Sequence, residues 1–259
     1  MPQISAAGRS LEIQWIEVER PDAALPTLVF LHEGLGSIRQ WRDFPRRVAE
    51  ATGCRALVYD RYGYGNSDVL QEDRAGVDFM HREALVALPD LLAKLEIQDP
   101  VLVGHSDGAS IALIYAGSFP VRGLVLMAPH VYVEEFNLNS IRKITAAFET
   151  SGLKAGLAKY HRDAEKTFRL WSGAWLDPAF PKWNIESVLP GIRCPVLAIQ
   201  GEADEYGTMA QLEAIARQVK GGCELLPLPG CGHAPFKDKP GEVLSAVTAF
   251  VKRILGSHP

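Results

Sequence analysis

The sequence contains no long apolar run. Its longest apolar stretches are residues 27–31, 101–103 and 123–128, whereas a helix needs about 20 mostly apolar residues to cross a bilayer. The first ten residues also lack the apolar core that a signal peptide needs. These absences predict a cytoplasmic protein with no membrane partner.

Charge of one sign is not concentrated in any segment. The chain of 259 residues has 27 Lys and Arg against 31 Asp and Glu, which gives a net charge of −4. Proteins that bind nucleic acids neutralise phosphates with clustered basic residues, and no such cluster is present here. We therefore expect no nucleic-acid partner.

Cysteine is scarce and is not arranged for metal binding. None of the four cysteines belongs to a C-x-x-C pair, and none stands near histidine at a zinc-binding spacing. We expect no metal site and interpret the cysteines as reduced, mostly buried thiols. They are Cys54, Cys194, Cys223 and Cys231.

Short apolar runs alternate with helical patterns along most of the chain. The runs predict strands at residues 11–19, 27–31, 56–59, 101–103, 124–127, 196–199 and 224–228. Apolar residues three and four apart predict helices at residues 38–52, 81–95, 109–117, 209–220 and 241–255. Within the second of these helices, Pro89 favours a kink. The alternation indicates an α/β fold with a mainly parallel sheet and helices on both faces.

Residues 131–190 interrupt this alternation, because they contain no predicted strand and have a helical character. We interpret them as a helical lid inserted into a single core domain, which residues 1–130 and 191–259 form. A chain of 259 residues is long enough for one α/β domain with such an insertion.

The strongest chemical signal is the segment Gly104-His105-Ser106-Asp107-Gly108, which fits the pattern G-x-S-x-G. A predicted strand precedes it and a predicted helix follows it, and the two glycines allow close backbone approach at a sharp turn. This context predicts that Ser106 is a nucleophile. The alternative is a serine that only caps the helix, but a cap does not explain the flanking glycines.

A serine hydroxyl needs a general base, and the base needs an orienting carboxylate. The predicted base is His233, in a glycine-flanked loop after the last predicted strand, and the predicted acid is Asp204, just after the strand at 196–199. Both follow the carboxyl ends of strands, where the sites of open α/β sheets gather. Glu202 and Glu205 compete with Asp204 for the role of acid.

Acyl transfer also needs backbone N–H groups directed at the developing oxyanion. One N–H belongs to Asp107, directly after the nucleophile, and a second is expected from residues 32–37, after the strand at 27–31. We favour Gly34, with Glu33 as the alternative, although these glycines also suit a simple tight turn. The Asp107 carboxylate opposes negative charge nearby, so it either points away or attracts a cationic or polar substrate group.

Four segments, in this order, resemble the motifs of the α/β-hydrolase superfamily. Residues 32–34 are similar to its H-G-x oxyanion loop, residues 60–67 to its D-x-x-G-x-G-x-S turn, residues 104–108 to its nucleophile elbow and residues 232–235 to its G-H-x-P loop. The resemblance spans residues 10–255 and is nearest to the small carboxylesterases. Glu33 is a departure, because a glycine usually follows the histidine of the oxyanion loop.

The resemblance implies an eight-stranded, mostly parallel sheet flanked by helices, with a helical cap over the site. It places Ser106, Asp204 and His233 at the triad positions and implies cleavage of a small-molecule carboxylic ester, without a cofactor or metal. The same triad could instead cleave a C–C bond, a thioester or an amide, and the fold can also serve as a non-catalytic binding protein.

Tryptophans are the candidates for substrate contacts in the predicted lid. Trp171 and Trp175 are predicted to line the pocket, with Trp183 as a third candidate. The alternative is that these large side chains only pack the lid against the core.

Overall fold

The computed structural model describes residues 1–19 and 24–256, and its centre is an eight-stranded sheet. The strand order in space is β1-β2-β4-β3-β5-β6-β7-β8. Strand β2 pairs antiparallel with β1 and β4, and the pairings from β4 to β8 are parallel. The expected eight-stranded, mostly parallel sheet is confirmed. The strands are β1 (Gln3–Ala6), β2 (Arg9–Ile16), β3 (Leu28–Leu31), β4 (Ala56–Tyr59), β5 (Val101–His105), β6 (Gly123–Met127), β7 (Val196–Gly201) and β8 (Cys223–Leu228).

Helices cover both faces of the sheet. Neighbouring residues of a strand point to opposite faces, and Val29 and Phe30 of β3 accordingly belong to different apolar clusters. Every residue of the central strands β3 to β7 is buried, as is typical of parallel sheets. The helices are α1 (Phe44–Thr52), α2 (Phe79–Arg82), α3 (Leu88–Lys94), α4 (Asp107–Ala116), α5 (Glu135–Ala146), α6 (Leu153–Leu157), α7 (Ala164–Trp175), α8 (Ala210–Gln218), α9 (Pro235–Asp238) and α10 (Pro240–Gly256).

The first strand was not among the strands predicted from apolar runs. It pairs with β2 through a tight turn, in which Ala7 and Gly8 have φ angles of 48° and 73°. Both positive values belong to the left-handed region, and the Ala-Gly pair carries a weaker turn signal than Asn-Gly or Asp-Gly. The prediction of a strand over 11–19 was also wrong in its bounds, because pairing across this hairpin starts β2 at Arg9 and ends it at Ile16.

Two predicted helices are divided in the structure. The helix expected over 38–52 consists of a 3₁₀ turn at Ile38–Trp41 and α1, separated by Arg42 with a φ of 56°. Pro45, near the start of α1, has no N–H to continue a helix from upstream. The helix expected over 81–95 contains a π-helical turn, Glu83–Ala87, directly before the segment that holds Pro89. A wider turn accommodates the missing N–H of that proline.

Residues 131–190 contain α5, α6 and α7 and two 3₁₀ turns, Phe180–Lys182 and Glu186–Gly191. Their extended pairing is limited to one isolated bridge between Tyr132 and Asn184. The helical character expected of this segment is present, and its division from the core as a lid stays a prediction. Across the part of the chain that the structure describes, no helix combines the length and the apolarity needed to cross a membrane.

The four cysteines are free thiols. Cys54 and Cys231 are buried, whereas Cys194 and Cys223 are half-buried. No disulfide joins them in the structure, their reduced state stays a prediction, and the expectation of burial holds for two of the four.

Gly108, in the first turn of α4, permits this helix to approach the end of β3. A Cβ at Gly108 would lie 2.0 Å from the backbone carbonyl oxygen of Leu31, a contact that no side-chain rotamer relieves. We expect Gly108→Ala to lower the free energy of unfolding by about 3 kcal/mol or more, or to prevent folding.

The matched control is Gly173→Ala in α7, because a Cβ at Gly173 meets nothing within 4 Å. Alanine favours the helix by about 0.5–1 kcal/mol over glycine, so this variant should be slightly more stable than the wild type. Thermal denaturation measures both changes, and equal melting temperatures for the two variants would contradict the expectation.

Candidate active site

Ser106 occupies a sharp turn between β5 and α4. Its φ is 53° and its ψ is −121°, a conformation that is strained for a residue with a side chain. The turn is tight because a Cβ at Gly104 would lie 2.5 Å from the Cα of Ala109. The Ser106 N–H donates to the carbonyl of Met127 on the neighbouring strand β6 at 2.8 Å. Both glycines of the G-x-S-x-G segment are therefore needed for close backbone packing.

The structure brings the three predicted triad residues into one hydrogen-bonded chain. His233 Nε2 lies 2.9 Å from Ser106 Oγ, and His233 Nδ1 lies 2.8 Å from Asp204 Oδ1. An aspartate oxygen accepts, so Nδ1 carries the hydrogen and Nε2 is free to accept from the serine hydroxyl. Among the described residues, neither Glu202 nor Glu205 hydrogen-bonds to this imidazole, so Asp204 is the carboxylate positioned for the role.

Asp204 is fixed by groups other than His233. Its side chain has no exposed surface, and it accepts hydrogen bonds from the Tyr206 N–H at 2.7 Å and from Gln200 Nε2 at 2.6 Å. Burial alone would raise the pKa of Asp204, but the hydrogen bond and charge of His233, with the Tyr206 N–H, hold that pKa below its ordinary value. The carboxylate is therefore ionised and held in one orientation.

The pKa of His233 is shifted in the opposite direction. Burial favours the neutral imidazole, but the hydrogen bond to Asp204 and the charge of that carboxylate outweigh burial and raise the pKa of His233. The pair consequently stabilises an imidazolium, the species that forms when His233 takes a proton from Ser106.

Gly34 and Asp107, the two predicted oxyanion donors, line the same pocket as Ser106. Among the described residues, no group accepts a hydrogen bond from the backbone N–H of either one. The N–H of Asp107 also opens α4, where the helix dipole favours negative charge. The backbone at this point therefore offers two free donors beside the serine.

The Glu33 carbonyl fixes the orientation of the peptide that carries the Gly34 N–H. This carbonyl oxygen accepts from Arg61 Nη2 at 2.8 Å, from His32 Nδ1 at 2.8 Å and from the Gly36 N–H at 3.0 Å. In a trans peptide the N–H points away from the preceding carbonyl, so the Gly34 N–H points away from Arg61. Ser106 lines the pocket with Gly34 and Arg61 does not, which favours Gly34 as the donor, while Glu33, which lines the same pocket, stays the alternative.

His32 is a buried structural residue in this arrangement. Burial and the nearby Arg61 charge keep the pKa of His32 well below its ordinary value, so the ring is neutral. Its Nδ1–H donates to the Glu33 carbonyl, and its Nε2 accepts the Arg61 backbone N–H at 3.2 Å.

The Glu33 side chain, the departure from the superfamily pattern, ties the oxyanion loop to the His233 loop. Its carboxylate lies 3.4 Å from His105 Nδ1 and 3.6 Å from Lys237 Nζ. His105 Nε2 in turn donates to the backbone carbonyl of His233 at 2.7 Å. Burial opposes ionisation of Glu33, but the adjacent His105 ring and the Lys237 ammonium hold its pKa well below the ordinary value.

The Asp107 carboxylate is part of the pocket wall. Its Oδ2 accepts from Trp171 Nε1 at 3.1 Å. Burial raises the pKa of Asp107, against the opposing charge of Arg61 and the bond from Trp171. The side chain is thus held by the predicted lid rather than by solvent.

The pocket beside Ser106 has a volume of about 130 Å³. Trp171 and Trp175 both line it, as predicted from the sequence. Trp183 does not line it and instead stacks on Phe180, with ring centroids 5.6 Å apart. A larger cavity of about 230 Å³ lies on another side of Trp171 and includes none of the three triad residues.

The arrangement of His, Cys, Asp and Glu side chains gives no support for a metal site among the described residues. Within residues 1–19 and 24–256, no cluster of three or more His, Cys, Asp or Glu side chains could hold a metal ion.

Comparison with known proteins identifies the family. The sequence profile of the alpha/beta hydrolase family matches residues 28–247. The chain belongs to this family. The mouse protein named serine hydrolase BPHL (Mus musculus) is 30% identical over 172 residues, which cover 64% of this chain and 58% of the mouse protein. The match therefore spans less than two thirds of that relative's own length.

Two further known proteins match nearly the whole chain. A 2-succinyl-6-hydroxy-2,4-cyclohexadiene-1-carboxylate synthase from Enterobacter sp. (strain 638) is 24% identical, covering 88% of this chain and 92% of its own. A structure from a study of carboxylesterases of the thaumarchaeon Nitrososphaera gargenis superposes with a TM-score of 0.75 at 21% identity, covering 99% of this chain and 100% of its own. The architecture is the alpha/beta hydrolase fold.

Several residues of this alpha/beta hydrolase site were not singled out from the sequence, among them Arg61, His105, His130 and Asn137. Arg61 and His105 lie inside two of the segments that resemble superfamily motifs, residues 60–67 and 104–108. Their position in these motifs could have indicated that they lie near the site. Asn137 of α5 also lines the pocket, and no local pattern marks it, because its neighbours in sequence form an ordinary helix.

Proposed function

We propose that this protein is a serine hydrolase that cleaves small carboxylic esters through an acyl-enzyme. The observation that carries the proposal is the continuous chain from Ser106 Oγ through His233 to Asp204, with contacts of 2.9 Å and 2.8 Å. Such a chain activates a serine hydroxyl that is otherwise a weak nucleophile.

The reaction has two steps in this proposal. His233 Nε2 takes the hydroxyl proton as Ser106 Oγ attacks the ester carbonyl carbon, and the same proton then passes to the leaving alcohol. Water then attacks the acyl-enzyme as His233 takes one of its protons, and the imidazolium returns that proton to Ser106 Oγ as the acyl–Oγ bond breaks and the acid leaves. Asp204 keeps the imidazole in the Nδ1–H tautomer and stabilises its charged form.

Oxyanion stabilisation is assigned to the N–H groups of Gly34 and Asp107. Their support is that both are free, line the pocket and lie beside the serine. Arg61 acts as a positioning residue, because its guanidinium holds the Glu33 carbonyl and thereby directs the Gly34 N–H. Preorganised donors of this kind each contribute about 10²–10³-fold to rate in acyl transfer.

The size of the pocket supports a short acyl or alcohol group. A volume of about 130 Å³ is slightly less than the roughly 150 Å³ of a cavity that holds benzene. Octanoyl chains exceed this space, so acetate and butyrate esters are the better substrates in this proposal.

A substrate panel tests the proposal against its rivals. Hydrolysis of p-nitrophenyl acetate, butyrate and octanoate is measured together with a matched thioester and a matched anilide. We expect turnover of the two short esters above the octanoate, and no comparable rate on the anilide. Preference for the thioester or anilide would replace ester cleavage by that activity. Saturable binding without any turnover would favour a non-catalytic binding protein.

Trp175→Ala is expected to shift the chain-length preference toward octanoate. Trp175 lines the pocket and also packs in an aromatic cluster with Phe180, at a centroid distance of 4.7 Å. Truncation therefore enlarges the pocket and also costs stability, of the order of 3 kcal/mol for a buried aromatic side chain.

Trp183→Ala is the matched control for this prediction, because Trp183 belongs to the same cluster and lies outside the pocket lining. Both variants should melt at lower temperature, and Trp175→Ala alone should change the octanoate-to-butyrate ratio of kcat/KM. An equal change in both variants would assign Trp175 to packing only.

A further inference from the structure

Asn137 places an unpartnered amide in the wall of the catalytic pocket. The residue has 0% exposure and lines the pocket together with Ser106 and His233. Among the described residues, no group hydrogen-bonds to its Oδ1 or its Nδ2. A buried amide without partners is costly to the fold, so its retention in this position calls for a polar ligand group.

His130 adds an acceptor to the same pocket. Its Nε2 lies 3.0 Å from the Tyr206 carbonyl, so Nε2 carries the hydrogen. Burial and the neighbouring His233 charge lower the pKa of His130 to about 4, and the ring is therefore neutral. Its Nδ1 is then a lone-pair acceptor that is buried and has no partner among the described residues.

The wall of the pocket changes character along α5. Asn137, Ile141 and Ile144 all line it, and their spacing of four and three residues places them on one face of the helix. The polar amide thus stands one turn from Ile141 and two turns from Ile144 on the same face. A ligand that fits this wall has a polar group next to a short apolar part.

The unpaired groups select the chemistry of that polar group. Asn137 offers the donor group Nδ2, with two N–H bonds, and the acceptor Oδ1, and His130 offers a further acceptor at Nδ1. A hydroxyl can accept from the Asn137 amide and donate to the His130 imidazole. A carboxylate only accepts, so it pairs the amide donor and neither acceptor. An ammonium only donates, so it pairs the acceptors and leaves the amide donor unpaired, whereas a hydroxyl serves a donor and an acceptor together.

We propose that Asn137 and His130 form a subsite for a hydroxyl group of the substrate, which makes short hydroxy esters the substrate class. This inference rests on the proposed ester hydrolysis. Both residues are specificity determinants, since neither is needed for attack by Ser106.

The test compares esters that differ by one hydroxyl. Hydrolysis of ethyl lactate against ethyl propionate, and of ethyl β-hydroxybutyrate against ethyl butyrate, is followed by pH-stat. We expect the wild type to favour at least one hydroxy ester by tenfold or more in kcat/KM, because a site built for a hydroxyl discriminates against an analogue that lacks it. Asn137→Leu should remove that preference, mainly by lowering the rate on the hydroxy ester.

Asn139→Leu is the matched control, because Asn139 is an exposed residue of the same helix. It should leave both ratios unchanged. Equal rates of the wild type on the members of both pairs, or an unchanged preference in Asn137→Leu, would overturn the subsite.

Thermal denaturation separates a substrate role from a structural one. Leucine has the branched shape of asparagine but is larger, and the adjoining pocket offers room for the added volume. Because leucine leaves no polar atom buried without a partner, Asn137→Leu should keep or raise the melting temperature. A structural asparagine would give a lower melting temperature and equal losses on both members of each ester pair, and that result would also overturn the proposal.

Ligand binding distinguishes failure of this inference from failure of the proposed function. Lactamide and propionamide, which differ by the same hydroxyl, are titrated by calorimetry into the wild type and Asn137→Leu. Tighter binding of lactamide to the wild type alone supports the subsite even if no ester is cleaved. Equal binding of the two amides, with ester turnover present and no hydroxyl preference, rejects the subsite and leaves ester hydrolysis in place.

Discussion

Ser106→Ala is expected to lower kcat/KM for ester cleavage by about 10⁴-fold or more, with little change in melting temperature. The variant removes the atom that attacks the carbonyl, and the residual rate then comes from oxyanion stabilisation and binding alone. The fold should tolerate it, because the Ser106 side chain contacts His233 at 2.9 Å and the backbone bond to Met127 does not involve the hydroxyl. A p-nitrophenyl acetate assay with a thermal melt measures both properties.

The matched control is Ser110→Ala, one turn further along α4. The Ser110 hydroxyl is buried and donates to the His130 carbonyl at 2.7 Å. Its loss should lower stability by about 1–2 kcal/mol, while activity at a permissive temperature stays within a few-fold. Residual activity of Ser106→Ala at the level of Ser110→Ala would reject the nucleophile assignment and the mechanism with it.

Asp204→Asn is expected to lower the plateau rate by roughly 10³–10⁴-fold at near-native stability. The neutral amide no longer fixes the Nδ1–H tautomer and no longer stabilises the imidazolium. It also removes the hydrogen bond and charge that raise the pKa of His233.

The pH–rate profile tests the same contact with a defined sign. His233 must be neutral to accept the serine proton, so the wild-type rate falls as the pH drops through the pKa of His233. That pKa is raised above the ordinary histidine value, and the acid limb of the wild type lies correspondingly high. In Asp204→Asn the acid limb should move to lower pH as the plateau falls.

Glu202→Gln and Glu205→Gln are the controls, because these carboxylates are near in sequence and make no hydrogen bond to His233 among the described residues. Each should keep the wild-type plateau within a few-fold. If Glu205→Gln lowered the plateau rate as much as Asp204→Asn does, the assignment of Asp204 as the acid would be contradicted.

The central sheet and the candidate triad could be predicted because short, local segments of the sequence indicate both of them. Apolar runs such as residues 196–199 mark buried strands regardless of their neighbours in space. Parallel strands end at one edge, so Ser106, Asp204 and His233, each placed after a strand, were expected to meet there. The hairpin of β1 and β2 was missed, since its Ala-Gly turn has a weak local signal.

Tertiary structure alone decided between alternatives that are equivalent in sequence. Glu202, Asp204 and Glu205 share one loop, and the fold directs one of them to His233. Trp175 and Trp183 are both apolar aromatic residues of the helical segment, and packing directs only the first into the pocket.

The sequence by itself determined most of the strands and helices and where the chemistry gathers, because helical and strand periodicity and strand-end motifs are local properties. Contacts between distant segments were decided only by the fold: His105 reaches a backbone carbonyl 128 residues away, and Arg61 holds the Glu33 carbonyl from 28 residues away. Among the described residues the Asn137 amide has no hydrogen-bond partner, and its neighbours in sequence do not indicate this, because burial and hydrogen bonding depend on every element packed around a group.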